Sequence, residues 1–332
     1  MLPVIGLYLL FGAGLLLINQ RGHGRASTVA GGLIVTWVTV GALVGGAELA
    51  LRCCYAASDT PMQWTRAGEN WIARYMAFNS LGYRDREWTA EDLAGKTVIF
   101  AVGDSFTEGW GIEDPALRFP DRLQARLGSG YAVVNLGKGG SSTLHQTQAV
   151  MDYPYAKPDI IIWQYLLNDI DVAAISNGLV WESPIPLERP ALIEESHLAN
   201  FIYWRLFRQG MFLSSQGISQ WAWLYSAYDD SFIWSIHAQE IDRMVDYADS
   251  VGARLITVIF PNMEDPVSSV PYVDRVQQHL ESLGHPDIVK LTDAAAAMPI
   301  EERVVSRADA HPSAAFNAVV ADLLYPLIAG ES

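Results

Sequence analysis

Thr97-Val98-Ile99-Phe100-Ala101-Val102-Gly103-Asp104-Ser105-Phe106-Thr107-Glu108-Gly109 is the stretch from which the chain is read. An apolar run gives way to a polar turn bounded by glycines. Val98–Val102 reads as a buried strand, and the turn places Ser105 at the carboxyl edge of its sheet. Open α/β sheets bind their ligands at that edge. A serine hydroxyl is a weak nucleophile until a base and an anion-stabilising pocket stand beside it. Taken alone, Gly-x-Ser is an ordinary turn. The spacing is also not the Gly-x-Ser-x-Gly elbow of α/β-hydrolases, because Thr107 stands where that elbow has glycine.

Strand-like and helix-like segments alternate outward from this stretch. Tyr131–Leu136, Ile160–Tyr165, Arg254–Phe260 and Ile288–Leu291 read as strands, and Ile160-Ile161-Ile162-Trp163 is apolar throughout. Leu117–Leu127, Ile236–Val251, Val270–Leu283 and Pro312–Ile328 read as helices by their apolar spacing. Such alternation predicts an α/β fold with a parallel sheet and helices on both faces. Residues 177–235 break it with a long aromatic-rich insertion, including Trp181, Trp204, Phe212, Trp223, Tyr228, Phe232 and Trp234. It is too long for an ordinary loop and is expected to form helices of its own. A packed helical flap, a lid over Ser105 and a membrane-seated surface are all consistent with it.

Four stations fall at the ends of predicted strands. Ser105 is the first. Asn135-Leu136-Gly137-Lys138-Gly139-Gly140 is the second, with glycines that turn the backbone sharply and present N–H groups to an anion. It lacks the Gly-Lys-Ser/Thr ending of a phosphate-binding P-loop, and no helix pattern follows it directly. Asn168-Asp169 is the third; its amide suits an oxyanion as well as a turn or helix cap. Asp309-Ala310-His311-Pro312 is the fourth, at the opening of the last predicted helix, and histidine is the natural proton acceptor near neutral pH.

In this order and spacing the four stations resemble the SGNH branch of the GDSL hydrolase family, over roughly Thr97 to Ile328. The resemblance implies a flavodoxin-like three-layer α/β/α sandwich around a parallel five-stranded sheet. It implies Ser105 as nucleophile, His311 as base, and an oxyanion hole from the N–H groups of Ser105 and Gly137 with the Asn168 side chain. Two positions depart from the family pattern. Leu166 stands where block three usually has glycine, and Ala308 stands where the acid three residues before the histidine is usual. Asp309 is the available substitute, with Glu301, Glu302 or a backbone carbonyl as alternatives for orienting the imidazole. The resemblance calls for no metal or organic cofactor.

The amino terminus adds a second theme. Leu2–Ile18 and Val29–Ala47 contain no charged residue, and about 20 apolar residues cross a bilayer. Residues 1–54 are therefore expected to form two transmembrane helices, followed by a lead-in at 55–96 and the sheet domain at 97–332. Arg21 and Arg25 in the connector place it inside and the sheet domain outside the cytoplasm, on the periplasmic side of an inner membrane. The net charge of −15 argues against nucleic acid as partner. Adjacent Cys53 and Cys54 cannot staple distant segments. The expected function is a membrane-anchored serine esterase acting on an acylated small molecule, lipid or glycan of the envelope. An O-acyltransferase modifying an envelope polysaccharide and a non-catalytic glycan-binding or assembly protein are the alternatives.

Overall fold

The computed structural model describes residues 2–58, 65–182, 189–207, 214 and 217–330. Phe212 of the insertion and residues 59–64 of the lead-in lie outside the described residues. The chain forms two compact units, one of Met1–Ile72 with Pro184–Met211 and the other of Ala73–Ser183 with Phe212–Ser332.

The first unit is helical. Helices Leu2–Arg21 and Arg25–Cys53 pack against each other. Tyr8 stacks on Trp37 with ring centroids 4.8 Å apart, and the Trp37 indole N–H donates to the Tyr8 carbonyl at 3.1 Å. Arg25–Cys53 is long and apolar enough to cross a membrane and is scarcely buried. The insertion contributes helices Ala191–Glu195 and His197–Phe207 to this unit. Glu48 accepts the backbone N–H groups of His197 and Leu198 at 3.0 and 2.9 Å, capping the second of these.

The second unit holds the predicted sheet. Strands β1 (Thr97–Val102), β2 (Tyr131–Asn135), β3 (Ile160–Leu166), β4 (Arg254–Phe260) and β5 (Ile288–Lys290) are all parallel, in the order β2-β1-β3-β4-β5. This is the flavodoxin-like order. Side chains alternate across the pleat, so each strand feeds two cores. Phe100, Val102, Ile161 and Trp163 pack on one face with Tyr228, Ile241 and Met244. Ile99, Ala101, Ile162 and Ile256 pack on the other with Phe119, Phe316 and Leu324. The order reverses between β1 and β3, and the crevice beyond their carboxyl ends is the usual ligand site of such sheets.

Three local readings change. The helix placed at Leu117–Leu127 begins at Phe119, after a 3-10 turn at Pro115–Leu117. A helix at Thr143–Asp152 follows the glycine loop, N-capped by Ser142. Its face of Thr143, Gln146 and Thr147 is buried but polar, so it carries little apolar period. Most consequentially, Asp309–Pro312 is not the start of the last helix. It is a short strand, β7, antiparallel to β6 (Val304–Ser306), and the closing helix runs Ala314–Ala329.

Two buried arginines fix the segment after Ser105. Arg84, 2% exposed, donates to the carbonyls of Gly109, Ile112 and Tyr75 at 2.6, 2.7 and 2.8 Å. Arg118 donates to the carbonyls of Arg84 and Glu108 at 2.5 and 3.1 Å and pairs with Asp121 at 2.8 Å. Removing the Arg84 guanidinium strands several buried carbonyls, each costing about 1–3 kcal/mol. Arg84→Met is expected to lower unfolding stability by about 3 kcal/mol or more, read as a reduced midpoint in thermal or denaturant unfolding.

Candidate active site

β1 ends at Val102, and the chain turns at Gly103 into the four-residue helix Ser105–Glu108. Asp104 caps it, its Oδ1 accepting the Phe106 N–H at 2.8 Å. Gly109 ends it in the left-handed conformation, φ 79°, which favours glycine. Ser105 therefore opens a helix at the carboxyl edge of β1, beside the β1/β3 crevice.

The β6–β7 hairpin brings His311 to this serine. His311 Nε2 lies 2.8 Å from Ser105 Oγ. On the other side of the ring, Nδ1 lies 2.5 Å from Asp309 Oδ1, which also accepts the His311 backbone N–H at 3.1 Å. The two-residue spacing works because the segment is extended: residues i and i+2 of a strand face the same way. The carboxylate fixes the ring proton on Nδ1 and leaves Nε2 to accept from the serine hydroxyl. Glu301, the alternative acid, pairs instead with Arg307 at 2.5 Å. The Glu302 backbone carbonyl accepts the Ser313 hydroxyl.

Burial of His311 opposes its protonation. The charge and hydrogen bond of Asp309, with the charges of Asp104 and Glu108, outweigh burial and raise its pKa above the ordinary histidine value. Phe106 and Trp110 flank the ring, with centroids 5.3 and 6.1 Å away. The other histidines are placed differently. His237 is a fully buried core residue between the Tyr165 hydroxyl at 2.7 Å and Glu240 at 2.8 Å. His145 folds back on the Ser142 cap at 3.0 Å.

The glycine loop lies against the same turn. The N–H groups of Leu136 and Lys138 donate to the carbonyls of Ala101 and Gly103 at 2.8 and 3.1 Å, and Asn135 Nδ2 donates to Thr107 O at 2.9 Å. A methyl at Gly137 would overlap the Thr107–Glu108 backbone, so only glycine fits there. Gly137 was expected to offer its N–H to an oxyanion, but that N–H donates to Asn135 Oδ1 at 2.9 Å. The Gly139 N–H donates to Glu108 Oε2 at 3.1 Å. Among the described residues the N–H groups of Ser105 and Gly140 have no acceptor. Asn168 stands in the 3-10 turn Leu167–Ile170 after β3, near enough to Asp104 to lower the pKa of that carboxyl.

Sequence reading missed three polar side chains behind the serine. Asp104 is fully buried, and burial pushes its carboxyl up. Gln164 Oε1 accepts the Asp104 N–H at 3.0 Å and the Thr107 hydroxyl at 2.9 Å, tying β3 to the turn. Glu108 is also buried, and its carboxyl is pushed up to about 7, by desolvation first, against the neighbouring Gly139 N–H and Arg84. Signals for all three were present. Asp104 and Glu108 lie within the opening motif, and Gln164 is a polar residue inside an otherwise apolar strand.

Among solved structures, the chain is similar to a carbohydrate acetylesterase family member from Sinorhizobium meliloti (15% identity, 70% of this chain and 97% of that chain, TM-score 0.39). It is also similar to a member of the lipolytic protein G-D-S-L family from Veillonella parvula DSM 2008 (12%, 70% and 96%, 0.39). A third is AlinE4, an SGNH-hydrolase family esterase (16%, 71% and 97%, 0.36). No curated protein sequence matches the chain. The sequence profile of the GDSL-like lipase/acylhydrolase family matches residues 101–319, from the end of β1 into the closing helix. The chain therefore belongs to the GDSL-like lipase/acylhydrolase family, serine hydrolases acting on ester bonds.

Proposed function

We propose that this protein is a membrane-anchored serine esterase that cleaves an acyl ester of an envelope lipid or glycan outside the cytoplasm. The observation that carries the catalytic part is the unbroken line Ser105 Oγ–His311 Nε2, His311 Nδ1–Asp309 Oδ1, at 2.8 and 2.5 Å. An assembly protein that only bound glycans would have no need of a serine held in this way. The apolar outer surfaces of the two amino-terminal helices support the anchor: Leu10, Leu43 and Val35 are 71%, 67% and 66% exposed. Lipid is the environment that removes such surface from water.

In this reading His311 takes the Ser105 proton as Oγ attacks the ester carbonyl carbon. Asp309 stabilises the resulting imidazolium. The Ser105 N–H, the Asn168 amide and the free Gly140 N–H, in place of Gly137, receive the oxyanion. Collapse of the tetrahedral intermediate expels the alcohol, which takes the proton from His311. Water, deprotonated by His311, then attacks the acyl-enzyme and releases the acid.

Detergent-purified protein should label with a fluorophosphonate probe and release free acid from a short-chain ester. Absence of both in the folded protein overturns the reading. Asn168→Ala is expected to lower kcat by about 10²–10³ with little change in KM, measured on the same ester. Extraction from membranes by carbonate, without detergent, would refute the anchor independently of activity.

A further inference from the structure

Glu108 is the carboxyl within the nucleophile motif that this mechanism leaves without a task. It is the last residue of the helix that Ser105 opens, and it is only 5% exposed. A buried carboxyl is costly unless its oxygens are bonded. Here Oε2 accepts the Gly139 N–H. Gly139 stands between this carboxyl and the nucleophile: a methyl on it would sit 2.9 Å from Glu108 Oε2 and 3.8 Å from Ser105 Cβ.

Gly139 and Gly140 are the central residues of a β-turn closed by the Ser141 N–H donating to the Lys138 carbonyl at 3.1 Å. Gly140 has φ 73°, whereas Gly139 does not have positive φ, the pattern of a type II turn. The closing bond uses the N–H of the fourth residue and leaves that of Gly140 unused. The base of the turn is held to Gly103 by the Lys138 N–H and by the Ser141 hydroxyl at 3.0 Å. Its apex is held by Glu108.

We propose that Glu108 is a positioning residue whose carboxylate pins the apex of the Lys138–Ser141 turn to the nucleophile helix, aiming the Gly140 N–H at the developing oxyanion. The inference rests on the esterase reading above. An ionised carboxylate accepts an N–H more strongly than a neutral acid does. The charged groups facing Glu108 are Arg84, Asp104 and His311, and the Arg118 guanidinium binds its carbonyl. Its carboxyl titrates at about 7. Acidification therefore weakens the pin, and it also protonates His311, whose pKa is raised above the ordinary histidine value. Two protons then govern the loss of activity on the acid side.

The test uses the full chain in detergent micelles, a short-chain chromogenic ester, and Glu108→Gln and Glu108→Ala. Glu108→Ala is expected to lower kcat about 10²-fold with KM little changed. Glu108→Gln, whose amide oxygen still accepts an N–H, should recover at least about ten-fold of that loss. In Glu108→Gln the acid limb of log kcat against pH should be shallower near pH 7 than in the wild type, because the fall that accompanies protonation of Glu108 is gone. Peptides covering residues 137–141 should exchange amide hydrogens faster in Glu108→Ala than in the wild type, a readout independent of turnover. Unchanged exchange, or a wild-type slope in Glu108→Gln, overturns the proposal. If the wild type neither labels nor hydrolyses while exchange still responds to Glu108→Ala, the pinned turn stands and the esterase reading falls. If Glu108→Ala does not fold, the slope and exchange of Glu108→Gln decide the matter.

Discussion

Ser105→Ala is expected to reduce kcat for ester hydrolysis by a factor on the order of 10⁶, with unfolding stability unchanged within about 0.5 kcal/mol. In the proposed reaction its hydroxyl forms the covalent bond, and no other hydroxyl is placed against His311 Nε2 among the described residues. Its loss costs little in folding. Ser105 is half-buried, and its backbone carbonyl, which accepts the N–H groups of Gly109 and Trp110 at 3.0 and 2.9 Å, is untouched. The measurement is kcat on a chromogenic ester beside a thermal melt and fluorophosphonate labelling. Loss of activity with an unchanged melt fits a nucleophile. Retention of activity would move the nucleophile elsewhere.

Asp309→Asn is expected to lower kcat by a factor on the order of 10⁴. The variant keeps the shape of the side chain and an oxygen able to accept the His311 backbone N–H. It also brings an NH₂ group, which favours the tautomer with the ring proton on Nε2. In that tautomer Nε2 cannot accept the Ser105 proton. A pH profile separates this from simple misfolding. His311 must be neutral to act as base, so activity falls as pH drops through its raised pKa. Without the Asp309 charge that pKa moves down, and the acid limb of the residual activity should shift to lower pH. Glu301→Gln, altering a residue paired with Arg307 at the surface, should leave activity within about two-fold. An equal loss there would mean that the histidine is oriented differently.

The long apolar helix Arg25–Cys53 and the sheet were legible because their signals are local. Val98–Val102, Ile160–Trp163 and Val258–Phe260 are apolar runs of the kind a strand covered on both faces requires, and the five-stranded sheet contains all three. The helix Thr143–Asp152 was not legible, since three of the four residues on the face it buries, Thr143, Gln146 and Thr147, are polar and only Val150 is apolar. The chemical stations stood out because glycine, serine, asparagine and histidine interrupt apolar runs at strand ends. That Glu108 and Gln164 brace the serine was hidden. Bracing depends on which neighbour a buried polar group meets, and the neighbours are distant in the chain.

The sequence by itself determined the α/β class, the strand that leads into Ser105, and Ser105, Asn168 and His311 as candidate site residues. Tertiary structure alone decided which acid meets the His311 imidazole and which acceptor the Gly137 N–H finds. Asp309 reaches the imidazole because three residues of β6 hold it extended, and a strand that short leaves no period to read. Gly137 gives its N–H to Asn135, and the bond that closes the turn between Lys138 and Ser141 uses the N–H of Ser141, not that of Gly140. Composition selects which side chains can do chemistry; hydrogen-bond direction, set by contacts between segments far apart in the chain, selects which of them are presented.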